Sequence, residues 1–215
     1  MRTYFVSSAL ALIVAFLCVT GAALAGGMQS LIGIEDAAEG VAEGDTAGAA
    51  ATAAAHKIIA RWSEVRVSMG RNGATRAELT AADAAVRSLE DAMLHSQDLR
   101  RAANGVTAAL APLFGRAGDK VPIDVHRLDY FRRAIELDVE AGDWPRAQSD
   151  TSAMAARWSA IRPLVAARRN SSSAAVAFDR AQRAIEDALQ ARSARKMLAA
   201  TNRSGDAVDG LEKLF

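Results

Sequence analysis

The apolar positions of the chain fall at helical spacings along most of its length. Trp144, Ala147, Thr151, Met154, Trp158, Ile161 and Val165 alternate steps of three and four, which places all seven on one stripe of a helix. Ninety-six residues upstream the stripe returns as Gly48, Ala51, Ala55, Ile58, Trp62, Val65 and Met69, with smaller residues in its first half. A helix is predicted ahead of each stripe. Leu31, Ile34, Ala38 and Val41 form the face of the first, and Leu128, Phe131, Ile135 and Val139 that of the second, which spans about 125–141. A third helix opens at Thr75, whose relation to Glu78 is a capping box, and carries Leu79, Ala82, Val86, Leu89 and Met93 at heptad spacing.

The breaks between stripes carry their own chemistry. Gly44-Asp45 and Gly142-Asp143 each offer a glycine able to turn left-handed at a helix end and an aspartate able to cap the next helix, so each predicts a tight antiparallel hairpin. Asn104-Gly105 and the stretch from Asn202 to Gly205 predict an end or a bend before a short final helix. Pro163 removes a backbone donor inside the second stripe and predicts a kink or split there, where the first stripe has Val67.

The recurrence is wider than the stripe. Ala60-Arg61-Trp62-Ser63-Glu64-Val65-Arg66 returns as Ala156-Arg157-Trp158-Ser159-Ala160-Ile161-Arg162. At the same shift Asp83 falls on Asp179, and the block from Arg87 to Met93 on that from Arg183 to Leu189. Leu110 to Phe114 and Leu211 to Phe215 share Leu-x-x-Leu-Phe, whose phenylalanines are expected to close the end of their own bundle. The predicted fold is therefore an all-α antiparallel helical bundle built from a tandem internal duplication, with three to four helices per copy. The copies cover 28–114 and 124–215, and 115–123 form the linker.

Composition narrows the class further. The 215 residues include 50 alanines, the best helix former, with 51% hydrophobic and 5% aromatic residues. Lys and Arg number 26 against 25 Asp and Glu, a balance unlike that of a dedicated nucleic-acid binder. Residues 1–25 read as a cleaved signal peptide: Arg2 is the basic start, Phe5 to Leu17 the apolar core, and Ala23-Leu24-Ala25 the cleavage site. Cleavage after Ala25 removes Arg2 and the lone Cys18, so the mature chain has 25 residues of each sign and no disulfide. Membrane contact is expected only through that segment before cleavage.

Chemistry-bearing motifs are sparse. His56, His95 and His126 lie in no His-Glu-x-x-His or Glu-x-x-His spacing, and neither a Gly-x-Ser-x-Gly elbow nor a phosphate-binding loop is present. No cofactor or metal is expected. Asp91 with His95, and His126 with Asp129 and Tyr130, read as solvated polar pairs. Arg100-Arg101, Arg132-Arg133 and Arg168-Arg169 have forks suited to an anion, although such runs are ordinarily solvated helix faces. Trp62, Trp144, Trp158, Arg132 and Arg133 are the candidate binding or packing positions. The function expected is that of a non-enzymatic periplasmic binding or scaffolding protein of the bacterial cell envelope, acting through a helix groove or the seam between copies on another envelope protein or a small ligand. The alternative is a periplasmic carrier or sensor of a small ligand, haem or metal.

Overall fold

The structure, a computed structural model, describes residues 27–44, 47–95 and 97–215. The expected signal segment and the Asp45 cap lie outside the described residues. Among those residues the chain forms eight α-helices and no strand, an all-α helical bundle. The helices are α1 (27–42), α2 (Ala49–Arg71), α3 (Arg76–Leu94), α4 (Leu99–Arg116), α5 (Ile123–Glu140), α6 (Trp144–Ala166), α7 (Ser172–Gln190) and α8 (Ala194–Glu212).

The stripes face inward as the spacing requires. Ala51, Ala55, Ile58, Trp62, Val65 and Met69 are the buried residues of α2, and Ala147, Thr151, Met154, Trp158, Ile161 and Val165 those of α6. Trp144, the first residue of α6, is half-buried at the margin of the core. Leu31, Ile34, Ala38 and Val41 of α1 are fully buried. Thr75 accepts from the Glu78 backbone N–H while the Glu78 carboxylate accepts from the Thr75 N–H, so the capping box is complete. Gly44 and Gly142 both turn at positive φ, 83° and 75°, and the Asp143 side chain accepts from Arg146 N–H at the start of α6.

Three sequence expectations need correction. Asn104-Gly105 lies inside α4 and Asn202 to Gly205 inside α8; the chain breaks earlier, where Asp98 and Ser193 cap the two helices. Those caps satisfy the first backbone donors, whereas the Asn104 side chain is held by a neighbouring helix and does not compete for its own backbone. Pro163 does not split α6, which continues to Ala166; the helix forfeits only the one bond that the missing N–H would make, a turn before its end. Phe114 is buried in the first apolar cluster, as expected, and also stacks on the His126 ring of α5 at 4.8 Å.

The buried apolar residues divide into two clusters. One joins α1 to α4, from Leu31 to Ala117, and the other joins α5 to α8, from Val125 to Leu211. In the second group α5 packs on α6 and α8, and α7 on α6 and α8, closing a four-helix ring. The groups meet along α5, which also packs against α4 and is tied by side chains to α1.

The same polar triad braces both tryptophan helices. Trp62 Nε1 donates to Asp83 Oδ1 at 2.9 Å and Arg66 Nε to the same carboxylate at 2.8 Å. Ninety-six residues on, Trp158 Nε1 donates to Asp179 Oδ1 at 2.7 Å and Arg162 Nη2 to Oδ2 at 2.8 Å. Each indole is thereby almost wholly buried with its one polar atom satisfied, and the Trp158 ring lies 4.6 Å from that of Phe178.

Candidate functional site

Between the two apolar clusters runs a polar seam built on α5. Arg133 lies in it with only 2% of its side chain exposed. Its Nη1 donates to Glu39 Oε1 of α1 at 3.0 Å and to Asp129 on its own helix. On the other side Nε donates to Asn104 Oδ1 at 3.0 Å and Nη2 to Thr107 Oγ1 at 3.4 Å, both on α4. One guanidinium therefore ties three helices, as a planar fork with several fixed donors can. Arg132 beside it donates to Asp129 at 2.6 Å and to Glu43, in the turn just past α1. It passes so close to Gly205 of α8 that a Cβ there would lie 3.0 Å from Arg132 Nε, which gives this mid-helix glycine its reason.

These pairings fix the helix directions. Glu35 faces His126, Glu39 faces Arg133 and Glu43 faces Arg132, so α1 runs alongside α5 in the same sense. Arg101 donates to Asp138 and Phe114 meets His126, so α4 runs opposite. Thr201 donates to Glu136 while Glu212 lies near His126, so α8 also runs opposite.

At one end the seam opens into a cavity of about 170 Å³ lined by Glu35, Asp36 and Glu39 of α1, His126 and Asp129 of α5, and Asp209 and Glu212 of α8. Burial pushes Glu35 up to about 9, with Glu39, Glu212 and Asp129 adding to the rise against the pull of Arg133. Burial likewise takes Glu39 to about 7, and Glu212 to about 7 with help from Asp129, Asp209 and Asp119. Burial alone would raise Asp129, but Arg133, Arg132 and a proton donated from Glu39 hold it below the usual range. The cavity is thus a set of carboxyls of which some keep protons while one stays charged against two arginines. His126 is pinned from behind by the Asp119 carboxylate, 2.9 Å from Nε2, while Nδ1 stands 4.0 Å from Glu35 and 3.9 Å from Glu212. No grouping with metal-holding geometry occurs among the described residues.

A second concavity of about 290 Å³ lies at the opposite end of α5. Its floor is Val139, Ala194, Met197 and Leu198, with Glu136, Glu140 and Arg195 at the rim. Leu198 is 46% exposed there.

The candidate positions read from sequence are dispersed. Trp62 and Trp158 sit in separate cores and Trp144 at a helix start, so the tryptophans form no common surface. Arg132 and Arg133 do act at the junction, but their forks are filled by carboxylates of this chain and they form no solvated face. The other arginine pairs go elsewhere: Arg100 donates to the Ala42 carbonyl and Glu140, Arg101 to Asp98 and Asp138, and Arg168 lies over the Phe215 ring. His126 is half-buried and bonded to Asp119 instead of sharing a solvated pair with Asp129, whereas His95 is exposed and meets the Asp91 backbone carbonyl, not its carboxylate. Glu35, Glu39, Glu43, Asn104, Thr107 and Glu212 went unread. The signal of the three N-terminal glutamates is an acidic row at i, i+4 and i+8 along α1 and its end, which opposes the His126, Asp129, Arg132 and Arg133 face of α5. Profiles of known protein families, curated proteins and solved structures were all compared with this chain, and none matches.

Proposed function

We propose that this chain is an exported, non-enzymatic binding or scaffolding protein of the bacterial cell envelope, assembled from two related helical bundles. The observation that carries the reading is the seam. The molecule concentrates ionisable groups there, with Arg133 buried and Arg132, Asp129 and Glu39 half-buried around it, and keeps its apolar cores on either side. A polar junction sets orientation more than it drives association, the character of surfaces that position partners. His126 supports a structural role as well, since its Nε2 is engaged by Asp119 and its ring by Phe114. The duplication is supported by the Trp-Asp-Arg triad that repeats at a spacing of 96. The apolar groove beside Leu198 supports a binding role.

Native mass spectrometry of the chain purified from its own cells tests this. Intact mass should begin at Gly26 and a second envelope protein should accompany the chain. A bound small molecule, haem or metal would replace this reading with that of a carrier. Retention of residues 1–25, or recovery from the cytoplasm, would overturn the export on which it rests.

A further inference from the structure

The seam differs from both cores in one physical respect: its contacts depend on proton occupancy. We infer that the seam is a pH-responsive joint, in which the contact of α1 with α5 and α8 is tight in acid and loosens in alkaline solution while each bundle keeps its own core. The inference concerns the chain alone and holds whether or not a partner binds.

The geometry supplies three parts of the argument. First, carboxyls from three helices converge on one small cavity: Glu35, Asp36 and Glu39 from α1, Asp129 from α5, and Asp209 and Glu212 from α8. Second, the cations facing them are few. Arg133 reaches Glu39, Glu43 and Asp129, Arg132 reaches Glu43 and Asp129, and His126 stands about 4 Å from Glu35 and Glu212 with its far nitrogen on Asp119. From α4 only the uncharged Asn104 and Thr107 reach Arg133, while Arg100 and Arg101 are engaged with Ala42, Glu140, Asp98 and Asp138. From α2, Arg61 meets the Gly33 carbonyl. Third, the two apolar clusters are separate, and the first reaches the seam through Phe114 of α4, stacked on His126, so parting α1 from α5 and α8 leaves both cores in place. The covalent link is the short segment from Ala117 to Pro122, with Gly118 at φ 97°.

Proton linkage fixes the direction. Glu35, Glu39 and Glu212 hold protons more tightly in the closed seam than in water, up to about 9, 7 and 7 against 4.5. Closure is therefore favoured fully below the ordinary carboxyl range and weakens as pH rises from there, the contributions of Glu39 and Glu212 being lost by about pH 7 and that of Glu35 by about pH 9. Each unit by which a group is raised corresponds to roughly a tenfold shift of the open-closed balance when it ionises. Two carboxylates forced to ionise within one cavity also repel each other at close range.

The test is hydrogen exchange with small-angle scattering on the purified chain from pH 5 to pH 9.5, exchange being corrected for the intrinsic effect of pH. Peptides covering 33–43 and 205–213 should lose about tenfold or more of their protection as pH rises from 5 to 9, with the radius of gyration rising. Peptides around Ile58 and Ile185 in the cores, and the far-ultraviolet circular dichroism, should stay unchanged. The variant Glu35→Gln/Glu39→Gln/Glu212→Gln, neutral at every pH, should stay closed throughout. If that variant fails to fold, Glu35→Gln alone should reduce the alkaline loss of protection. Seam protection that stays flat to pH 9.5 in the wild type would overturn the inference, and so would a folded glutamine variant that loosens as the wild type does. Loss of core and seam together would also refute it, since that is unfolding of the whole chain.

Discussion

Replacing Arg133 by alanine strands Glu39 and Asp129, removes the donor to Asn104 and Thr107, and leaves Arg132 as the remaining cation against Asp129 and Glu43. Removing one partner of a buried ion pair typically costs about 3–5 kcal/mol, because the remaining charge stays desolvated. The lower end suits this site, since Glu39 can keep its proton and Arg132 still holds Asp129. Against a typical total of about 5–15 kcal/mol, a loss of about 3 kcal/mol is readily measured. Arg133 holds Asp129 charged, so its loss should matter more at pH 7 than at pH 5, where a stranded Asp129 takes up a proton. Urea denaturation followed by circular dichroism at both pH values measures this, with the two bundles fitted as separate transitions if they part. A variant within about 0.5 kcal/mol of wild type at pH 7, the scatter of an ordinary surface change, would refute the account of Arg133 as the clamp of the seam.

Trp158→Ala should cost about 3–5 kcal/mol, the range for truncating a buried tryptophan, and lower the melting temperature of its bundle by about 12 °C or more in calorimetry. Asp179→Ala should cost about 1–3 kcal/mol by stranding the Trp158 N–H, while Asp179→Asn, which keeps an acceptor, should cost less in the same scan. Hydrogen bonds from Arg162 hold the Asp179 carboxyl below its ordinary value, so the triad's contribution is present above about pH 4 and lost as pH falls through the lower folded-state value, as acid titration should show. Gly205→Leu should push Arg132 aside and destabilise by about 1–3 kcal/mol in urea denaturation, the usual cost of overpacking. Deleting Leu214 and Phe215, both only partly buried, should cost about 2 kcal/mol and loosen exchange mainly in α7 and α8.

What the sequence displayed and what it concealed follow from the kind of burial involved. Stripes such as Ile58-Trp62-Val65-Met69 bury hydrocarbon on one face, so a period of 3.6 is visible before any partner is known. The α5 face bearing Asp129, Arg132 and Arg133 buries charge, and its pattern is that of a solvated surface until α1 is placed against it. Phe131 illustrates the same limit, since it lies on the apolar stripe yet is only half-buried, while Asp138 is fully buried against Arg101. Gly205 was legible as a helix breaker by local chemistry alone, and only the passage of Arg132 over it explains why the helix tolerates it. Asp98 and Ser193 were stronger signals than the Asn-Gly pairs, because a cap supplies an acceptor where backbone donors are orphaned.

The separation of the two cores also bears on how the chain assembles as it is made. Every buried apolar residue of the first cluster lies at or before Ala117, so that cluster can close before any of α5 has been synthesised. Contacts within so short a stretch form quickly, and the half-finished chain need not wait for distant sequence to cover its hydrocarbon. The α1 edge it leaves bare is Glu35, Asp36, Glu39 and Glu43, a row of carboxyls that water solvates well. Along α1 the nascent bundle thus exposes acid, and acid repels a second nascent copy instead of adhering to it, leaving the α4 face with Phe114 as the part that α5 must cover.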